Sequence, residues 1–179
     1  MMNPLELIEK YYPLDGKTYP ILVNHGRLVA NKCFSIAKNK PDLGIDLEFI
    51  EQAAMLHDIG ICFTNSPKIG CYGSNIYICH GYLGSELLLK EGYPKLALVC
   101  ERHTGTGISK EEIERRKLPL PHRDMIPISI EEQLICFADK FFSKSKPYKE
   151  KSIEEIRNSL AKFGHESVGR FDAWCKVFL

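Results

Sequence analysis

Four histidines and two aspartates stand where helical periodicity turns them toward a core. A chain that buries so many polar groups must supply them with a partner. His25 lies on a segment whose apolar residues recur as Leu28, Val29, Cys33, Ile36 and Ala37, steps of three and four that place it on an inward helix face. His57 continues the stripe Ile50, Ala53, Ala54, and Asp58 follows it directly. His80 opens a segment whose apolar side is Leu83, Leu87 and Leu88, and His103 closes one running Leu96, Val99, Cys100. Asp139 sits between Ile135 and Phe142. One buried histidine is readily satisfied by a hydrogen bond. A buried aspartate without a partner costs several kcal/mol. A bound cation removes that penalty, and imidazole nitrogens with carboxylate oxygens suit iron, manganese, zinc or nickel. Histidines and carboxylates projecting inward from several helices is also how metal sites form inside helix bundles.

The rest of the chain reads as helix. Asn3 before Pro4 and Asp46 before LEFIEQAAML are N-cap signals. Ser109-x-x-Glu112, Ser129-x-x-Glu132 and Ser152-x-x-Glu155 match the capping box. The spacing predicts helices over 3–11, 18–39, 46–59, 80–91, 94–104, 109–117, 129–144, 152–163 and 167–177, with two long loops at 60–79 and 118–128. Period-2 strand patterns are nearly absent. The expectation is an all-α, single-domain helical bundle over 1–179, with its core at about 21–145 and C-terminal packing helices at 152–177. Phe171, Trp174 and Phe178 mark the last of these as a core-packing or dimer helix.

Composition narrows the class. The 179 residues are 44% hydrophobic and 26% charged, a globular balance, and the formal net charge of +1 supplies no field for a long nucleic acid or an anionic membrane. No apolar run is long enough to span a bilayer. The start, MMNPLELIEK, lacks the basic-then-apolar pattern of a signal peptide. Seven scattered cysteines without a C-x-x-C pair read as reduced thiols, which fits a cytoplasmic protein. Cys62, Cys71 and Cys79 do not have zinc-site spacing and read as small buried side chains.

The string AAMLHDIG around His57-Asp58 resembles the signature of HD-domain metal-dependent phosphohydrolases of the HDIG subgroup, and the resemblance runs over roughly 21–145, through CFADKFFSK around Asp139. The family order His, His-Asp, Asp maps onto His25, His57, Asp58 and Asp139. His80 and His103 stand where six-ligand members carry two more histidines, an arrangement similar to the HD-type symmetrical diadenosine tetraphosphate hydrolases with their two-metal centre. The glycine-rich string of the cyclic-dinucleotide phosphodiesterases is absent, and Ile61 stands where those enzymes often carry lysine.

The resemblance implies two divalent ions, with iron or manganese favoured over zinc, nickel, cobalt or magnesium. It implies His25, His57 and Asp139 on one ion, His80 and His103 on the other, and Asp58 as the bridging catalytic carboxylate. Such a pair acidifies a bound water and neutralises phosphate oxygens. The expected partner is a small phosphorylated substrate, a nucleotide, with no long nucleic acid and no membrane; a homodimer is compatible. Candidate donors are Arg27, Arg102, Thr104 and Lys140 near the ligands in sequence, Lys68 in the Gly-rich first loop and, on the stiff second loop, His122 and Arg123. A di-iron oxygenase and a non-catalytic metal-stabilised ligand-binding domain are the alternative readings of the same residues.

Overall fold

A computed structural model describes residues 2–145 and 149–179. Among them are nine α-helices: α1 (Pro4–Tyr11), α2 (Thr18–Asn39), α3 (Leu47–Leu56), α4 (His80–Lys90), α5 (Pro94–Arg102), α6 (Lys110–Arg116), α7 (Ile130–Asp139), α8 (Ile153–Leu160) and α9 (His165–Phe178). The fold is all-α, in one domain. The 60–79 loop carries short 3₁₀ turns and one minimal antiparallel hairpin, β1 (Asn65–Ser66) with β2 (Cys71–Tyr72). No helix among the described residues is long and apolar enough to cross a membrane.

The caps form where the sequence places them. Asn3 accepts from the Leu5 amide, Asp46 from Phe49, Ser109 from Glu112, Ser129 from Glu132 and Ser152 from Glu155. Of the three capping boxes, the reciprocal bond from glutamate back to the cap is present at Ser152–Glu155. Glu112 turns instead to Arg116, and Glu132 to Arg102 and the Ile128 amide. For those two carboxylates a guanidinium outcompetes the neutral cap amide.

Helix α2 packs on α3 and α7, α4 packs closely on α5, and α7 touches both α5 and α9. Their shared core includes Val29, Cys33, Ile50, Ala54, Leu88, Cys100, Leu134 and Phe137. On the C-terminal side Phe137 meets Phe171 and Phe178, each with centroids 5.3 Å apart. Phe171, Trp174 and Phe178 are all buried within this chain, each burial contributing about 1.5–3 kcal/mol. Arg170 on α9 donates to the Thr106 and Gly107 carbonyls, both at 3.0 Å, and so braces the segment after His103.

Several helices stop earlier than their apolar patterns suggest, among them the two that lead into the cluster's carboxylates. The expected 46–59 helix ends at Leu56 and the expected 129–144 helix at Asp139. After Asp58 the chain lies against the start of α4, so closely that a Cβ on Gly60 would collide with the His80 carbonyl and the Gly84 backbone. Asp58 takes φ −105°, ψ 9°, outside the helical region. His57 and Asp58, which in a continuing helix would diverge by about 100°, thereby serve one centre.

Candidate metal centre

Helices α2, α3, α4, α5 and α7 each deliver a side chain to one buried point. His25, His57, Asp58, His80 and His103 are buried, and the Asp139 side chain is 13% exposed. Their ligand-capable atoms form two overlapping groups, His25–His57–Asp58–Asp139 and Asp58–His80–His103. Asp58 belongs to both. Its Oδ2 lies 3.2 Å from His25 Nε2 and 3.0 Å from His57 Nε2. Its Oδ1 lies 3.4 Å from the Nε2 atoms of both His80 and His103. Asp139 Oδ1 completes the first group, 2.8 Å from His25 Nε2 and 3.6 Å from His57 Nε2.

Backbone carbonyls fix three of the tautomers. His57 Nδ1 donates to Ala54 O at 2.6 Å, His80 Nδ1 to Tyr77 O at 2.6 Å and His103 Nδ1 to Cys100 O at 2.7 Å. A carbonyl only accepts, so each Nδ1 carries the hydrogen and each Nε2 of a neutral ring presents a lone pair to the centre. Such bonds are how metal-binding histidines are oriented. His80 Nε2 and His103 Nε2 face each other at 3.0 Å. With Asp58 Oδ1 they make three converging acceptors and no hydrogen to share. Asp58 Oδ1 is buried without a hydrogen-bond partner, while Oδ2 has the Lys144 ammonium against it. A divalent cation satisfies this donor set, whose nitrogen and oxygen chemistry fits one.

The electrostatics agree. Burial pushes the His80 imidazolium down to about 3, helped by His103. Burial lowers His103 as well. For His57 burial works the same way, yet Asp58 and Asp139 outweigh it and raise the group to about 9. Burial opposes ionisation of Asp58 and Asp139, but Lys144 beside the one and Lys140 beside the other, with the histidines, hold both carboxyls well below the usual range. Lys144 Nζ is 2.5 Å from Asp58 Oδ2, and Lys140 Nζ is 2.8 Å from Asp139 Oδ2 and 3.2 Å from His103 O.

Two adjoining cavities reach the cluster. One, of about 410 Å³, is lined by Asp139, Lys140 and Lys144 with Lys68 and Lys151. The other, of about 340 Å³, is lined by His80, His103 and Thr104 with the apolar side chains of Ile78, Ile108 and Phe163. Lys68, Thr104 and Lys140 therefore stand beside the centre. Arg102 does not face it; it pairs with Glu132 at 2.9 Å. Arg123 pairs with Glu101, and exposed His122 lies 3.8 Å from Glu114. Arg27 lines a separate cavity with Asn3, Phe34 and Met55 that none of the six cluster residues reaches. Adjacency in sequence misleads for Arg102, because consecutive helical side chains diverge by about 100° and Glu132 takes the guanidinium. Lys144 and Lys151 were not singled out by the sequence; their only signal is closeness to Asp139 in a lysine-rich stretch that reads as solvated.

The model of the HD domain family matches residues 22–143. An uncharacterized protein of Methanocaldococcus jannaschii is 34% identical over 154 residues, 83% of this chain and 82% of its own. Two relatives carry the name tRNA (cytidine(56)-2'-O)-methyltransferase. The Picrophilus torridus protein is 32% identical over 78% of this chain, and that of Thermoplasma volcanium 29% identical over 88%. The chain spans 44% of the length of each methyltransferase. No solved structure gives a significant match. With the His, His-Asp, Asp order now placed around one centre that suits a divalent metal, the chain belongs to the HD domain family.

Proposed function

We propose that the chain is a cytoplasmic metal-dependent phosphohydrolase that cleaves a phosphoester or phosphoanhydride bond of a small nucleotide-like substrate. The carrying observation is the two-faced carboxylate of Asp58, with one oxygen toward His25 and His57 and the other toward His80 and His103. That is the arrangement a bridging ligand needs between two ions. Divalent metals held there, iron or manganese by preference, would supply a water acidified to near-neutral pKa and positive charge for phosphate oxygens. The chain's own residues orient and bind. The three Nδ1–carbonyl bonds keep the imidazoles aimed before any ligand arrives. Lys68, Lys140, Lys144 and Lys151 give the larger cavity a cationic wall for phosphate oxygens. Ile78, Ile108 and Phe163 give its neighbour an apolar wall suited to a base or sugar.

The two methyltransferase relatives link this kind of domain by name to tRNA modification, which supports a substrate from nucleotide chemistry. Converging carboxylates and imidazoles suit water activation rather than delivery of a methyl group. The test is a panel of nucleoside mono-, di- and triphosphates, cyclic nucleotides and dinucleotides with manganese, iron or cobalt. Phosphate or nucleotide release from at least one class is expected. No release from any, at full metal loading, overturns the reading. Oxygen uptake with an iron EPR signal in its place would make the centre a di-iron oxygenase.

A further inference from the structure

We propose that Lys144 is a built-in counter-cation of this centre: its ammonium sits on Asp58 while that carboxylate holds no metal and passes to the substrate's phosphate when metal arrives. The Nζ contacts Oδ2 of Asp58, the same oxygen that faces His25 and His57. The Lys144 side chain is 14% exposed, so this is an interior ion pair, weakly screened.

Charge balance makes the pair consequential. Asp58 and Asp139 contribute two negative charges, and Lys140 and Lys144 contribute two positive ones. The two lysines thus already offset the two carboxylates before any metal binds. Each divalent ion then adds two positive charges to a site where uncompensated charge is costly. An ammonium must leave its carboxylate, an anion must enter, or both. Lys140 is the less free of the two lysines, since it also donates to the His103 carbonyl. Lys144 has Asp58 and, at 5.9 Å, the face of Tyr77. It also has space. It lines both cavities described above and a third, of about 340 Å³, that reaches His25 from the side of Asn24. A small swing takes its ammonium off Asp58 and into the cavity where Lys68 and Lys151 already stand.

Metal loading and anion binding are then coupled through one side chain, and the coupling is reciprocal. The phosphate half of this inference rests on the proposed function; the metal half does not. The experiment titrates manganese into the full chain after chelator treatment, with and without inorganic phosphate, reading free manganese by EPR. In the wild type, phosphate should tighten manganese binding by about tenfold. Without phosphate, K144M should bind manganese about tenfold more tightly than wild type, and phosphate should add little further. K144R, which keeps the charge, should stay near wild type. Wild-type or weaker manganese affinity in K144M, or a full phosphate effect persisting in it, overturns the proposal. Should chelated K144M fail to fold, the wild-type titration still decides, because a manganese affinity blind to phosphate overturns it too. Graded affinities without hydrolysis of any nucleotide would sink the proposed reaction and leave the counter-cation standing; hydrolysis with unaltered affinities would do the reverse.

Discussion

The two halves of the centre hold the same kinds of ligand in opposite electrostatic states. Around His25, His57 and Asp139, two carboxylates are matched by two lysines, and the raised His57 takes a proton at neutral pH. Around His80 and His103, two lowered imidazoles and one carboxylate oxygen converge without a hydrogen among them. The first half is satisfied by the chain itself. The second has no lysine of its own and suits a cation. Identical residue types thus become a lysine-compensated pocket in one place and an acceptor trap a few ångströms away. The difference lies in the two lysines that follow α7, Lys140 and Lys144, which reach the carboxylates of the first half.

Removing what the halves share has the largest expected effect. Asp58→Ala takes a ligand from both groups and leaves Lys144 without its carboxylate. It should strip nearly all metal and abolish hydrolysis, as metal analysis and turnover would show; a variant that retains metal and rate denies that Asp58 bridges. Next comes His80→Ala with His103→Ala, which deletes the second half alone. About one ion per chain should remain, and hydrolysis should fall by orders of magnitude, because a two-metal clamp stabilises both attacking and leaving oxygens. An unaltered metal count would erase the distinction between the halves.

Much of this centre was legible as periodicity. His25, His57, His80, His103 and Asp139 each extend an apolar stripe, and a polar residue on such a stripe is a signal that sequence carries in full. Caps were legible for the same local reason. What one strand of letters does not carry is competition between distant partners. Glu132 reads as a capping-box carboxylate, but Arg102, thirty positions away in the chain, takes it. Lys144 reads as one surface charge among several until the end of α7 at Asp139 points it back at Asp58. The close seat of Gly60 against α4, just past the end of α3, is a contact with no local mark beyond the glycine itself.

The halves should also answer pH in opposite directions when metal is removed. His57 is raised to about 9 from an ordinary 6.5, so its contribution to stability is complete below pH 6.5 and is lost as pH climbs through 9. His80 is lowered to about 3 from 6.5, so its contribution is present above pH 6.5 and is lost as pH falls from there toward 3. Thermal melts of the chelator-treated chain should therefore peak near neutrality and decline on both sides. His57→Gln should flatten the alkaline limb and His80→Gln should shrink the acidic one. Metal should abolish the alkaline limb, since a coordinated His57 has no proton to lose. Stability that rises steadily from pH 7 to 9 in the metal-free chain would contradict the assignment of the charged histidine to the first half.

The smallest effect tests how the second half is braced. Glu132, 8% exposed in its side chain, accepts from Arg102 Nη1 at 2.9 and 3.1 Å and from the Ile128 amide at 2.9 Å. Arg102 is the residue before His103, so this pair ties the end of α5 to the start of α7. Glu132→Gln keeps the shape and one acceptor but removes the charge, which for a hydrogen bond to a charged group costs about 1.5–3 kcal/mol. At roughly 2–4 °C per kcal/mol for a chain of this size, the melting temperature should fall measurably. The loosened α5 end should also weaken the second ion by a few-fold and leave the first untouched, because His25 and His57 hang on α2 and α3. Glu155→Gln is the matched control: Glu155 closes an exposed capping box, its partners are Ser152 and Lys149 and none of the six cluster residues, and its loss should change neither ion. Equal loss of both ions in Glu132→Gln would mean that the halves share one support, and that their difference is confined to charge.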